Sequence, residues 1–466
     1  MKNFTVKQIY QALRDNSLQE NTLVKIEGWV RNNRDQKEFG FIDFHDGTFF
    51  KSIQIVYENS LDNFKNIQKI RVGSSVTITG KLILTPTAKQ PFEINALTVT
   101  LNGDSSDDYP IQPKRHSREF LREQAYLRTR TNLFQAVFRV RSVSAFLIHE
   151  FFQNEGFVYV NTPIITSNDG EGAGQMFNVT TLDLNNLPKT ETNEVDYKQD
   201  FFGKKVSLTV TGQLEAESYA LSFKNVYTFG PTFRAENSNT VKHAAEFWMI
   251  EPEMSFCDMD KSMEIQEKLV KYIISNLLKK LPDELEFFNQ FVEPGLLARL
   301  NNVLNSDFAK ITHEEAISIL LNSKNKFENR PEYGKDIFSE HEKFLTEVHF
   351  KKPVFITDWP KDIKAFYMRL NDDNKTVRAA DLLVPGSGEL IGGSQREERI
   401  DYLEKRIKEL QMKTEGLEWY INLRKYGGCI HSGFGLGFER LIMYLTGVDN
   451  IRDVIPFART PKNCEY

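Results

Sequence analysis

Cysteine is scarce in this sequence: Cys257, Cys429 and Cys464 are the only three in 466 residues, scattered and without a CxxC spacing. That excludes a disulfide framework and points to a reducing cytosol as the expected setting. Long apolar runs are missing as well. Nowhere do roughly 18 uncharged apolar residues follow one another, and the opening MKNFTVKQIYQALRDNSLQ has no signal-peptide core, so no membrane partner is expected. Positive charge is not in excess either. Lys and Arg number 59 against 64 Asp and Glu, a net charge of −5, so nucleic acid can be held only by local, shaped contacts.

Several familiar motifs are also absent. The phosphate cradle GxxxxGK[ST] has no match; from Gly73 the nearest candidate carries six intervening residues before Gly80 and has Leu82 after Lys81. Gly433, Gly435 and Gly437 form GxGxG, but Phe438 stands where a dinucleotide fingerprint needs its third glycine. His313-Glu314 and His341-Glu342 lack the second histidine of a zinc-protease helix, and no Cys/His cluster suggests a transition metal.

What is present describes a globular chain. Hydrophobic content of 40%, charged content of 26% and 36 phenylalanines exclude wholesale disorder, and the length corresponds to about two to four domains. Between Asn21 and Leu101, five short alternating segments (VKIEGWV, FGFIDF, SIQIVY, SSVTITGKLI, FEINALTVT) predict strands separated by polar turns. That is a small β-barrel, and the pattern alone leaves an oligonucleotide-binding barrel, an SH3-like barrel and an immunoglobulin-like fold open. A polar, Pro- and Arg-containing stretch comes next. The spacing of Phe134, Val137, Phe138, Phe146, Phe151 and Phe152 then predicts a helix over 132–154, stopped by Gly156. Beyond it, strand-like FVYVNTPIIT, VSLTVTG, VYTFGPTFRAE and EFWMIEPEMSF alternate with helical stretches at 263–280 and 399–422, and 183–200 is an expected loop. The expected boundaries are 1–102 for the barrel, 103–131 for a hinge and 132–466 for a large α+β domain.

Three separated segments carry the chemistry: FVYVNTP at 157–163, FGPTFRAENSNTVKHAAEF at 229–247 and GFGLGFERLIMYLTGV at 433–448. Singly, each has a bland reading, such as a surface ion pair for Arg234 and Glu236 or close strand packing for the glycines. Together, their order and residue types resemble the three signature motifs of class II aminoacyl-tRNA synthetases. The stretch KDIKAFYMRLNDDNKTVRAADLLVPGSGELIGGSQREER and the ending GVDNIRDVIPFARTP make the resemblance narrower, to the bacterial asparaginyl-tRNA synthetase family within the aspartyl/asparaginyl/lysyl subgroup.

The resemblance implies an α+β architecture: an N-terminal five-stranded OB-fold barrel that binds the anticodon, and a catalytic domain with an antiparallel sheet flanked by helices. It also implies ATP, L-asparagine and tRNA(Asn) as substrates, Mg2+ as the metal, and a homodimer formed through the helix before FVYVNTP. By position in the family pattern, Arg234 would hold the α-phosphate and the amino-acid carboxylate, and Arg440 the γ-phosphate of a bent ATP. Phe247 would stack on adenine, Glu236 would sit at the base, and His243 would approach the terminal phosphate. Asp381 and Glu389, with Ser394 nearby, would bind magnesium, with one more residue between them than in aspartyl enzymes. Gln213, Glu217 and Arg396 would take the substrate side chain, Glu217 accepting from the carboxamide, with Glu215 as its substitute. In the barrel, Phe41 would stack on an anticodon base while Arg34 and Gln54 bond its edges.

Rival expectations are an aspartyl enzyme of relaxed tRNA choice, an ammonia-dependent asparagine synthetase and a non-catalytic RNA-binding relative. Ala216 replaces the lysine with which aspartyl enzymes hold the second carboxylate oxygen, which opposes the first. The barrel opposes the second, and retention of Arg234, Arg440 and Glu389 opposes the third.

Overall fold

The computed structural model describes residues 2–466 except 89, 169, 171–175, 239, 413 and 415, so Asn239 of the 229–247 motif lies outside the described residues. The chain divides into two units, residues 1–136 and 137–466.

In the first unit the five expected segments form strands β1 (Leu23–Asp35), β2 (Phe39–His45), β3 (Ile53–Glu58), β4 (Ser75–Leu84) and β5 (Phe92–Gly103). Their order is β1-β2-β3-β5-β4, and β4 pairs back onto β1, so the sheet closes on itself. Closure sets aside the immunoglobulin-like sandwich, and the strand order, with the last strand inserted between the third and the fourth, is that of the OB-type barrel rather than the SH3-like one. The alternation of the sequence drives it: Val24, Ile26, Ile42, Phe44, Ile55 and Ile78 all point into one buried core, as period-two side chains in a small barrel must. Helix α1 (Val6–Arg14) adds Val6 and Ile9 to that core, its start fixed by a capping box between Thr5 and Gln8. The stretch between barrel and large domain contains a short helix, Arg118–Glu123, and a 3-10 turn, Arg128–Arg130.

The long helix α2 runs from Asn132 to Asn154, and Gly156 behind it takes φ +78°, a conformation that favours glycine. The second unit is then built on eight strands: β6 (Val158–Tyr159), β7 (Asn225–Phe233), β8 (Glu246–Ser255), β9 (Ala309–Thr312), β10 (Val354–Pro360), β11 (Thr376–Val384), β12 (Gly388–Gln395) and β13 (His431–Gly437). The sheet order is β9-β10-β11-β12-β13-β8-β7-β6. The interior pairs are antiparallel, while β9 on β10 and β6 on β7 are parallel. Helix α3 (Gln213–Phe223) packs on β7 and β8, and helix α4 (Met259–Lys280) lies across β11, β12 and β13.

Two expectations are corrected. FVYVNTPIIT does not continue as one strand: only Val158–Tyr159 joins the large sheet, and Ile165–Thr166 joins a small sheet with Asn178–Val179 and Val206–Leu208. Pro163, with no N–H to donate, separates them. The expected helix at 399–422 is two, Ile400–Glu409 and α6 (Glu418–Lys425), because Gln411 at φ 53° and Gly416 at φ 85° turn the chain between them. The 183–200 stretch forms a single bridge, Lys189 to Val195, and a 3-10 turn at Tyr197–Gln199, otherwise irregular as expected.

Two local backbone devices aim side chains at one face of the large sheet. Between β11 and β12 the pairing shifts by one residue: Asp381 faces Gly392 and Leu382 faces Ile391, but Leu383 faces Glu389, leaving Leu390 as a bulge. Paired residues share a face of a sheet, so the bulge turns Glu389 to the side on which Asp381 lies. On β13, a side chain at Gly433 would occupy the place of the Glu253 carboxylate, and one at Gly435 would meet the Met249 methyl at 2.9 Å. The GxGxG pattern is thus a floor left bare so that β8 side chains can lie across it. Gly433→Ala should cost about 1–3 kcal/mol by overpacking. A chemical-denaturation midpoint identical to that of the unsubstituted chain would show that the floor has room to spare.

Candidate functional site

On the face of the sheet opposite α4 lies a cleft of about 320 Å3. Alternate residues of β8 (Phe247, Met249, Glu251, Glu253) line it, as the two-residue period of a strand dictates. Arg234, Glu236, His243, Gln213, Arg396 and Arg440 line it too, as do Asp381 and Glu389. Of the sequence candidates outside the barrel, Glu215, Glu217 and Ser394 stand outside the lining.

At one end, the Arg234 guanidinium carbon lies 5.4 Å from the Phe247 ring centroid, so cation and aromatic plate form one wall. The backbone holds the pair together: Arg234 N–H donates to Ala245 O at 3.0 Å and Phe247 pairs with Thr232 across β7 and β8. His243 sits on the exposed loop before β8, its Nδ1 sharing a hydrogen bond with the Thr240 hydroxyl. Arg440 lies in the first turn of helix α7 (Phe438–Thr446). The neighbouring Glu439 fixes that turn, accepting from Arg141 Nη2 at 2.8 Å and from Trp248 N–H at 2.9 Å while buried to 2% exposure.

Asp381 and Glu389 converge over Gly392. A Cβ built there would lie 3.1 Å from Glu389 Oε1 and 3.4 Å from Asp381 Oδ1, a cradle that the absent side chain leaves open. Burial first, and then the like charge of Glu389, raise the Asp381 carboxyl above its usual range, opposed by Lys364, whose Nζ binds Asp381 Oδ2 at 2.6 Å. Two crowded carboxylates gain from a divalent cation between them. Two hard oxygens suit Mg2+, which keeps waters and phosphate oxygens for its other positions, and among the described residues no larger His/Cys/Asp/Glu cluster competes.

The opposite end is a buried polar floor. Arg396 forms a two-pronged pair with Glu253, Nη2 to Oε1 at 2.5 Å and Nε to Oε2 at 3.1 Å, while Nη1 donates to the Ser394 hydroxyl at 2.8 Å. Ser394 therefore serves Arg396 rather than the carboxylate pair. Those bonds use three of the five guanidinium donors. Glu217, expected to face the substrate, stands one layer behind the wall and is 0% exposed. It accepts from Gln213 Nε2 at 3.0 Å, Tyr420 OH at 2.8 Å and Arg424 Nη2 at 3.0 Å, and bonds His431 Nε2 at 2.9 Å. Burial alone would push its carboxyl up; Arg424 and then His431 overcome that and hold it far below the ordinary range. Gln213, having given its NH2 to Glu217, keeps its carbonyl oxygen for the cleft it lines. Ala216 packs against Val160, Ala220 and Val226, bringing no charge, and half-buried Glu215 remains outside the cleft.

On the barrel, Arg34 pairs with Phe41, Phe41 with Val56, and Asp43 with Gln54. The period of two therefore puts Arg34, Phe41 and Gln54 on one outward face of β1, β2 and β3. Arg34 lies 5.9 Å from the half-buried Phe41 ring, and Gln54 donates to Glu93 at 3.0 Å.

Sequence reasoning missed Glu251, Glu253, Lys364, Tyr420, Arg424 and His431. Glu251 accepts Gly212 N–H at 2.9 Å and the hydroxyls of Thr211 and Thr228. Two acids two positions apart in EFWMIEPE, inside an otherwise apolar stretch of strand, were a usable signal for Glu251 and Glu253. Nothing local marks the others.

Known proteins share both units of this chain. Residues 117–461 match the family described as tRNA synthetases class II (D, K and N), and residues 24–101 match the OB-fold nucleic acid binding domain. The asparagine–tRNA ligase of Acholeplasma laidlawii is 61% identical over 462 residues, 99% of both chains. That of Desulfitobacterium hafniense is 59% identical over 466 residues, 100% of both. The crystal structure of Pyrococcus horikoshii asparaginyl-tRNA synthetase with asparaginyl-adenylate superposes with a TM-score of 0.85 at 30% identity, covering 100% of both chains. The corresponding Entamoeba histolytica complex gives 0.82 at 26% identity, covering 97% of this chain and 98% of that one.

The floor makes an ordered stability prediction. Glu217→Ala strands buried cations and should cost about 3–5 kcal/mol. Tyr420→Phe removes the hydroxyl that donates to Glu217 and accepts from Arg424 Nη2 at 2.9 Å but leaves the Glu217–Arg424 ion pair in place, and should cost about 1.5–3 kcal/mol. Equal losses for the two in urea denaturation would mean that Glu217 is not the hub.

Proposed function

Since the chain belongs to the class II tRNA synthetases for D, K and N, we propose that it is an asparagine–tRNA ligase. It activates L-asparagine with ATP to asparaginyl-adenylate and passes the asparaginyl group to the 3′ end of tRNA(Asn). The observation that supports this reading is one cleft lined by two guanidinium groups, Arg234 and Arg440, together with a buried polar floor built on Arg396 and Glu253.

In the first step a carboxylate oxygen of asparagine attacks the α-phosphorus of ATP, and the bond to the β-phosphate breaks as pyrophosphate leaves. No general base is needed, because the nucleophile is already ionised; what must be stabilised is negative charge. Arg234 brings the carboxylate and α-phosphate together, and Arg440 holds the γ-phosphate with help from His243. Phe247 stacks on adenine, backed by Arg234, and Glu236 sits at the base. Held by Asp381 and Glu389, Mg2+ would supply neutralisation of phosphate charge. In the second step the terminal ribose 3′-hydroxyl of the tRNA attacks the adenylate carbonyl and AMP leaves.

Selection of asparagine over aspartate follows from charge. Around the floor two guanidinium groups, Arg396 and Arg424, are met by two carboxylates, Glu217 and Glu253. A balanced pocket suits a neutral carboxamide, whose oxygen takes a remaining Arg396 donor, and gives aspartate no surplus cation. Glu217 maintains that balance and turns Gln213 so that its carbonyl faces the substrate. Phe41, Arg34 and Gln54 read the anticodon. The same reading includes a homodimer through α2, supported by Phe146, 61% exposed on that helix, and a cytoplasmic location, supported by three unpaired cysteine thiols. No helix among the described residues is long and apolar enough to cross a membrane.

Pyrophosphate exchange into ATP should depend on asparagine and proceed with neither aspartate nor lysine; exchange driven by aspartate alone would overturn the assignment. Glu217→Gln leaves the floor with one surplus positive charge, so the preference for asparagine over aspartate should fall by about tenfold or more, a change of about 1.4 kcal/mol. Unaltered preference would remove Glu217 from selection. Phe41→Ala should raise the KM for tRNA by roughly 5- to 150-fold, the loss of about 1–3 kcal/mol of stacking, and leave tRNA-free exchange untouched. A normal tRNA requirement would dismiss the stack.

A further inference from the structure

Lys364 lines the cleft beside Asp381, and its surroundings fix where its charge sits. It follows a 3-10 turn, Lys361–Ile363, at the end of β10. Between Thr357 and Trp359 the pairing of β10 with β11 shifts by one residue, at Asp358 with φ 54°: Thr357 faces Ala380, but Trp359 faces Val377. Val377 lies on the side of β11 that carries Asp381, so the shift turns the indole to that side of the sheet. Buried Trp359 donates its indole N–H to Ile356 O at 2.9 Å. His313, the first residue of helix α5 (His313–Asn322), packs against its ring with centroids 4.9 Å apart. Lys364 lies across this fixed plate, Nζ 4.0 Å from the Trp359 ring centroid.

From there the ammonium takes one oxygen of Asp381, Nζ to Oδ2 at 2.6 Å, while Oδ1 is the oxygen turned towards Gly392, where Glu389 Oε1 also lies. No other ion pair to Asp381 or Glu389 is present among the described residues. Two ionised carboxylates offer a cation two negative charges, and Lys364 cancels one of them. The affinity of an oxygen site for a divalent cation depends on its count of charged ligands, and Mg2+ held by one or two carboxylates draws on phosphate oxygens as well. A pair with half its charge cancelled is a weak site for a bare ion and an adequate one for an ion that brings phosphates.

We propose that Lys364 is the internal counter-ion of the metal site, a role that rests on the reading of Asp381 and Glu389 as metal ligands. It weakens the carboxylate pair for a bare divalent cation, so that metal is held together with the nucleotide rather than before it. A lysine that only holds Asp381 in place, or only touches the nucleotide, has the opposite effect or none on the binding of metal alone.

The test is Mn2+ binding by the full-length protein without nucleotide, followed by loss of the free-ion electron paramagnetic resonance signal; Mn2+ favours the same oxygen ligands as Mg2+. The buffer is mildly alkaline, so that protons do not compete for the carboxylates. Lys364→Met keeps the stem over Trp359, and Lys364→Gln also keeps a donor for Asp381; removal of the positive charge should raise the Mn2+ affinity of both by about tenfold or more. Lys364→Arg, which keeps the charge, should stay near the parent protein, and adding Glu389→Gln to Lys364→Met should abolish the gain. Unchanged or lowered affinity in both neutral variants overturns the proposal, as does an equal gain in the arginine variant or a gain that survives Glu389→Gln. The Mg2+ dependence with which Glu389→Gln binds a non-hydrolysable ATP analogue, measured by calorimetry, separates the two readings. If it matches the parent, the ligand assignment itself fails; if it is weakened while the neutral Lys364 variants show no gain, only the counter-ion role is removed.

Discussion

The buried ion cluster of Arg396, Glu253, Glu217 and Arg424 is the constraint on which the large unit is organised. Its members come from β8, α3, α6 and the residue after β12, separated by up to 207 positions in the chain, and they meet with almost no access to water. Such a cluster is weak evidence of stability in itself, because desolvation offsets most of the attraction. Its value is positional. Each oxygen of Glu217 is already shared between donors, so α3 and α6 and the start of β13 have one mutual arrangement, and Gln213 has one orientation.

The two ends of the cleft use opposite electrostatic strategies. At the proposed phosphate end, charged groups line the cleft: Arg234 is backed by an aromatic ring, Arg440 stands in a turn fixed by Glu439, and Asp381, paired with Lys364, meets Glu389 over a glycine. At the floor, cations and carboxylates are matched within the protein, leaving only hydrogen-bond polarity to offer. In the proposed reading, a triphosphate and a neutral carboxamide are recognised side by side without one site's field spoiling the other's discrimination.

Small backbone devices make both ends possible. The Leu390 bulge turns Glu389 to the face of Asp381, and the bare glycines of β13 let Glu253 lie flat and reach Arg396. The GxGxG run thus has a packing reason that is also a functional one. The close-packing reading and the site reading of those residues, alternatives when only the chain text is considered, describe the same contact.

The barrel strands were legible because a closed sheet with one core imposes strict alternation, which survives in the order of residues. The Phe-rich helix was legible for the same reason at a period of 3.6. The side chains around Arg234 and Arg440 were legible because each sits in a contiguous motif whose neighbours are also its structural supports. What the chain text could not reveal was the layer behind the wall. Tyr420 and Arg424 sit among ordinary helical residues, and only the tertiary structure decided that they enclose Glu217. Local order records which face of an element is apolar; it does not record which polar atoms, hundreds of residues apart, will be forced to satisfy one another once water has been excluded.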